Sequence, residues 1–136
     1  MRLDFEIKSG DFTSAGRASS QIKQVLKQLQ VDPKMIKRIV VAVYEAEVNV
    51  VAHSVGGTLS AVISENEIVV TVKDRGPGIE NIELAMQAGF STASKEVREM
   101  GFGAGMGLPN IKKNTDDLKI ESGLGEGTTL TFRNTF

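Results

Sequence analysis

Between Asp32 and the glycine pair Gly56-Gly57 the chain reads "VDPKMIKRIVVAVYEAEVNVVAHS". The spacing predicts a long helix: Asp32 can cap the first N–H groups, and Pro33 has its φ already set for the first helical position. Ile36, Ile39, Val40, Val43 and Val50 provide a broad apolar face for burial, so the helix must be covered. In a chain of 136 residues that cover has to come from one shared core, and a single domain over 1–136 is expected. Yet the same helix carries Glu45, Asn49 and His53, the chain's only histidine, each four positions from the next. At about 100° per residue they advance by roughly 40° per step and share one edge. Such a row is either the solvated edge of an amphipathic helix or the wall of a site, and this helix fits both.

The rest of the chain supplies the cover. "LDFEI" alternates Leu3, Phe5 and Ile7 with acids, the period of a half-buried strand. "TSAGRASSQIKQVLKQLQ" places Ile22, Val25, Leu26 and Leu29 at helical spacing, with Thr13 or Ser14 as expected caps. "TLSAVIS" and "EIVVTVKD" stand close enough to form an antiparallel hairpin. A short helix is expected around "NIELAMQ", then a glycine-dense segment, a helix "LPNIKKNTDD", and a last hairpin, "LKIES" with "GTTLTF" across "GLGEG". These elements predict an α+β fold, a two-layer sandwich whose mixed, largely antiparallel sheet is covered by helices on one face.

Sixteen basic against seventeen acidic residues leave a formal charge of −1, which provides no field for nucleic acid or an anionic membrane as partner. The absence of cysteine excludes disulfides, thiolate catalysis and thiolate metal sites. With no apolar run of membrane-spanning length and no signal-peptide core at the start, a soluble cytoplasmic protein is expected.

Two further stretches carry chemistry. In "KDRGPGI" Asp74 ends a β-run, and Gly76, Pro77 and Gly78 force a turn whose backbone can approach a ligand closely. A carboxylate beside exposed backbone suits a purine's exocyclic amino group; an ordinary Asp/Gly/Pro turn has the same composition. In "GFGAGMGLPNIKK" Gly101, Gly103, Gly105 and Gly107 run into a helix, so backbone N–H groups and a helix N-terminus can face phosphates. No Gly-Lys-Ser/Thr follows, and no strand precedes as a dinucleotide fingerprint requires.

Taken in order, the helix with Glu-x-x-x-Asn, the strand end with Asp-x-Gly-x-Gly, the glycine-rich loop opening a helix and the final "GTT" strand resemble the Bergerat ATP-binding fold. DNA gyrase, heat-shock chaperone, histidine-kinase and mismatch-repair ATPases share that fold. The resemblance runs from the first strand to Phe132. "YEAEVN" and "GFSTAS" are most similar to the bacterial anti-sigma factor kinases and switch kinases, which phosphorylate serine or threonine on small antagonist proteins.

The resemblance implies ATP and Mg2+ as cofactors and assigns roles by position. Asn49 matches the asparagine that binds Mg2+ beside the triphosphate, and Glu45 the glutamate that accepts a proton from the attacking hydroxyl. Asp74 matches the acceptor of the adenine amino group, with Gly76 and Gly78 shaping the base pocket. Gly103, Gly105, Gly107 and the N–H of Leu108 match the phosphate-holding end of the lid, which is expected over residues 89 to 104 and ordered by ATP and magnesium. Thr128 matches the threonine near adenine, and His53 supports the metal or phosphates. The implied partner is an antagonist protein of the anti-anti-sigma type as phospho-acceptor. A sigma factor and a second copy of the chain are further candidates, with neither nucleic acid nor membrane contacted directly.

Two departures stand out. Glu47 falls where the family carries a small or apolar residue, about 200° around the helix from Glu45, and only a partner-facing or ion-paired edge suggests itself for it. The segment between Phe90 and Gly103 is longer than in the sporulation-type anti-sigma kinases and carries Lys95, Glu96, Arg98 and Glu99. Besides a kinase, the pattern fits a non-catalytic module whose nucleotide state gates partner capture; such a module needs Asn49 and Asp74 but has no use for a base at Glu45. A histidine-kinase fragment would lack its dimerisation helices, and gyrase-like hydrolysis its transducer domain.

Overall fold

A computed structural model describes residues 1–53, 55–76, 107–123 and 127–136. Its elements are β1 Arg2–Ile7, α1 Arg17–Gln28, α2 Pro33–His53, β2 Gly57–Ile63, β3 Glu67–Asp74, α3 Gly107–Lys113, β4 Asp117–Gly123 and β5 Gly127–Thr135. The five strands form one sheet in the order β1-β2-β3-β5-β4. Every described pair in it is antiparallel.

The period-2 patterns set the register. Leu59 pairs with Val72, Ala61 with Val70 and Ile63 with Ile68; Val72 continues to Leu130 and Val70 to Phe132. All of these side chains are buried, so one face of the sheet is apolar, while Thr58, Ser60, Thr71 and Thr131 fall on the other. Ile22 and Leu26 of α1, Ile39, Val43 and Val50 of α2 and Ile111 of α3 complete the same core. The result is the expected α+β sandwich. No helix among the described residues is long and apolar enough to cross a membrane.

The start of α2 follows the sequence reading: the Lys34 N–H donates to Asp32 Oδ1 at 2.8 Å. The start of α1 does not. Thr13 and Ser14 both bond Asp11 instead, and α1 opens at Arg17 behind Gly16, which has φ 97 and no side chain to cap with. Its acceptor comes from another helix: Glu47, only 4% exposed, takes the Ala18 N–H on Oε2 at 3.2 Å and the Ser19 N–H on Oε1 at 3.5 Å. Burial pushes the Glu47 carboxyl above its ordinary range, and the N–H groups of Ala18, Ser19, Gly16 and Arg17 pull the other way. This is the physical account of the acid that breaks the family pattern: it faces the buried start of α1, whose first N–H groups have no partner within their own helix.

The helix expected over "LPNIKKNTDD" is shorter. Asp116 Oδ2 accepts from the Thr135 N–H at 2.7 Å and its hydroxyl at 2.9 Å, and Asp117 already pairs with Arg133 in the sheet. The strand draws off the last residues of the helical pattern. Likewise Gly57, read as a helix stop, belongs to β2 opposite Asp74. The helix expected around "NIELAMQ" and the lid over residues 89 to 104 lie outside the described residues.

Candidate functional site

Helices α2 and α3 lie side by side and antiparallel, and the contacts that show it involve the polar row. A Cβ placed on Gly107 would lie 2.9 Å from Asn49 Oδ1 and 3.2 Å from Nδ2, so only a glycine lets the first residue of α3 come so near. One turn further along α3 and one turn back along α2, Asn110 Nδ2 donates to Glu45 Oε1 at 3.3 Å. At the far end Asn134 Nδ2 reaches both the Asn114 carbonyl, at 2.8 Å, and Met35 Sδ, at 3.9 Å. Glu45 and Asn49 are half-buried, while Leu108 and Ile111, on the other side of α3, are in the core.

A second cluster forms at the end of β3. Asp74 Oδ1 accepts from the Gly76 N–H at 2.9 Å and from the Thr128 N–H at 3.2 Å, which ties the end of β3 to a residue 54 positions away. The other carboxylate oxygen has no partner among the described residues, and is left to take a donor. The backbone packs tightly around it: a Cβ on Gly57 or on Gly127 would overlap the carbonyl oxygens of Lys73 and Asp74, and Gly127 has φ 80, a conformation that suits glycine. Thr128 is buried, and its hydroxyl shares a 2.9 Å hydrogen bond with Ser122 Oγ.

Of the residues expected from the sequence, Glu45, Asn49 and Gly107 come together at the α2–α3 seam, Leu108 follows Gly107 with its side chain in the core, and Asp74, Gly76 and Thr128 meet at the β3–β5 end. His53 closes α2; its side chain, Gly78, Gly103 and Gly105 lie outside the described residues. Sequence reasoning missed Asn110, Gly57, Gly127 and Ser122. An asparagine inside a short helix, where it is a poor helix former, was the one available signal for Asn110. Among the described residues no three Asp, Glu or His side chains gather as a metal site. The carboxamide oxygen of Asn49 is a hard ligand of the kind that fits Mg2+ when phosphate and water complete its shell.

Known proteins are similar to this chain in sequence and in fold. The histidine kinase-like ATPase domain profile covers residues 9–134. The anti-sigma F factor of Thermoanaerobacter sp. is 41% identical over 108 residues, which cover 74% of this chain and 72% of that protein. Among solved structures, the RsbU and RsbW domains of a Mycobacterium tuberculosis protein share the fold with a TM-score of 0.66, at 20% identity, over 98% of this chain and 32% of that one. The SiaB-SiaC complex of Pseudomonas aeruginosa does so with a TM-score of 0.56, at 15% identity, over 98% of this chain and 89% of that one. The chain therefore belongs to the histidine kinase-like ATPase domain family, and within it to the group that holds the anti-sigma F factors.

Proposed function

We propose that the protein is a cytoplasmic, ATP-dependent serine/threonine kinase that phosphorylates a small antagonist protein and so regulates transcription by partner switching. The observation that carries this reading is the joint placement of Glu45 and Asn49 at the α2–α3 seam, a carboxylate and a carboxamide one helical turn apart and each met by a residue of α3. The anti-sigma names of the relatives and the complex in which a structural neighbour was solved support a protein partner.

Bound MgATP supplies the phosphoryl group and the charge compensation for its transfer. Glu45 accepts the proton of the serine or threonine hydroxyl as its oxygen bonds the γ-phosphorus and ADP leaves. Asn49 Oδ1 would hold Mg2+. Asp74, with Oδ1 occupied by two N–H groups, would receive the adenine amino group on its other oxygen, and the resemblance assigns Gly76, Gly78 and Thr128 to the base pocket. It assigns Gly103, Gly105, Gly107 and the Leu108 N–H to the phosphates, with His53 in support.

Mixing the protein with MgATP and candidate antagonist proteins encoded beside it, then reading phosphate by intact mass, tests the reading. Glu45→Gln should lower transfer by roughly 10²–10⁴ and leave MgATP affinity little changed; Asn49→Ala should weaken both. Transfer by Glu45→Gln at the wild-type rate would overturn Glu45 as the general base, whereas no transfer to any acceptor would overturn the kinase assignment. An effect of Asn49→Ala alone would leave an ATP-gated binding module.

A further inference from the structure

We infer that Asn110 is a positioning residue for Glu45, one that fixes the direction in which the carboxylate accepts a proton; the inference rests on the kinase reading above. An ionised carboxylate only accepts hydrogen bonds, so the atom of Asn110 that meets Oε1 at 3.3 Å has to be its NH₂ group. That bond ties one oxygen and leaves Oε2 without a partner among the described residues. A glutamate on a half-exposed helix edge otherwise samples several rotamers, few of which aim at a given hydroxyl.

Asn110 is itself held by a chain of asparagines that starts in the sheet. Asn134, fully buried on β5, donates to the Asn114 carbonyl at 2.8 Å. Asn114 Nδ2 donates to the Asn110 carbonyl at 2.8 Å, and Asn110 donates to Glu45. Leu108 and Ile111, buried on either side of Asn110, stop α3 from rotating. The arrangement thus refers Glu45 to the central sheet rather than to its own helix alone. Asparagine weakens a helix relative to leucine or alanine, a cost at position 110 that the bond to Glu45 offsets.

The test uses Asn110→Leu, which removes the donor, and Asn110→Asp, which keeps the shape but sets a carboxylate against a carboxylate. ADP formation is measured with MgATP and the acceptor protein identified by the mass assay, beside ATP affinity by calorimetry and the thermal midpoint. Both variants should lose about tenfold to a hundredfold in kcat, the scale of a misaimed catalytic group, with ATP affinity within about twofold of wild type. In a Glu45→Gln background Asn110→Leu should add less than about a twofold loss, because a residue that acts through Glu45 has nothing left to orient. Should the leucine variant fail to fold, the isosteric aspartate carries the same comparison. Wild-type kcat in both Asn110 variants, or losses that simply add to that of Glu45→Gln, would overturn the inference while the kinase reading stands. No transfer to any acceptor by the wild-type protein would instead remove the kinase reading.

Discussion

The Glu47 carboxylate accepts the N–H of Ala18 from a different helix, 29 positions away in sequence. It is the acceptor that α1 lacks at its own start, where Gly16 offers no side-chain oxygen. Ala18 and Ser19 are buried, so water cannot replace it. Glu47→Ala should therefore destabilise the fold by about 1–3 kcal/mol, the cost of leaving buried donors unpaired. Urea unfolding measures this; a loss within a few tenths of a kcal/mol would mean that α1 finds another cap.

The same residue gives a signed pH dependence. Burial raises the Glu47 carboxyl above its ordinary value of 4.5 in the folded chain, so on raising the pH the unfolded chain ionises first. The stability this group contributes is fully present below 4.5 and is lost as pH rises through the folded value. The difference in unfolding free energy between wild type and Glu47→Gln, followed from about pH 4 to about pH 7, should move against the wild type. A difference that stays flat or moves the other way would contradict the burial account.

Gly107→Ala separates stability from binding. Alanine favours a helix over glycine by roughly 0.5–1 kcal/mol, and the atoms nearest the added methyl among the described residues belong to the movable end of Asn49. The thermal midpoint should hold or rise, whereas displacement of the Asn49 carboxamide should weaken MgATP binding by about tenfold, of the order expected for a disturbed metal-ligand shell. Calorimetry beside a melting curve decides; unchanged MgATP affinity would place Asn49 away from the metal.

Selectivity for adenine follows from the Asp74 geometry. With Oδ1 engaged by Gly76 and Thr128, the remaining oxygen suits a donor. The guanine carbonyl would oppose it, at a cost on the order of 1–3 kcal/mol, the penalty for an unsatisfied buried polar group. GTP should therefore bind about tenfold to a hundredfold more weakly than ATP at the same magnesium concentration. Equal affinities in a titration would reject the assignment.

What the sequence disclosed is what local physics determines. Alternation in "TLSAVIS" and "EIVVTVKD" specified a hairpin because one face had to be buried. Asp32 and Pro33 marked a helix start because capping acts within a single turn. Glu45 and Asn49 were visible because a helix itself aligns positions four apart. Asn110 was not, since its bond to Glu45 depends on how α3 docks on α2, and no spacing within either helix encodes that. Glu47 was misjudged for the same reason: its angular position on α2 was right, but what fills that direction is the buried start of α1. Gly57 looked like a helix stop, and only the closeness of the neighbouring strand explains why no side chain fits there.

The order of the strands has a consequence for how the chain reaches this state. β2 lies close in sequence to β3, and β4 to β5, so each hairpin can form locally; the central seam pairs Val70 with Phe132, far along the chain. Contacts so distant in sequence pay their loop-closure entropy before they return any stability, so the β3–β5 seam is expected to close late, after the rate-limiting step. Phe132→Leu should then speed unfolding while leaving refolding almost unchanged in stopped-flow measurements. The two halves of the site would assemble only with that last pairing, because Asp74 and Thr128 stand on opposite sides of it.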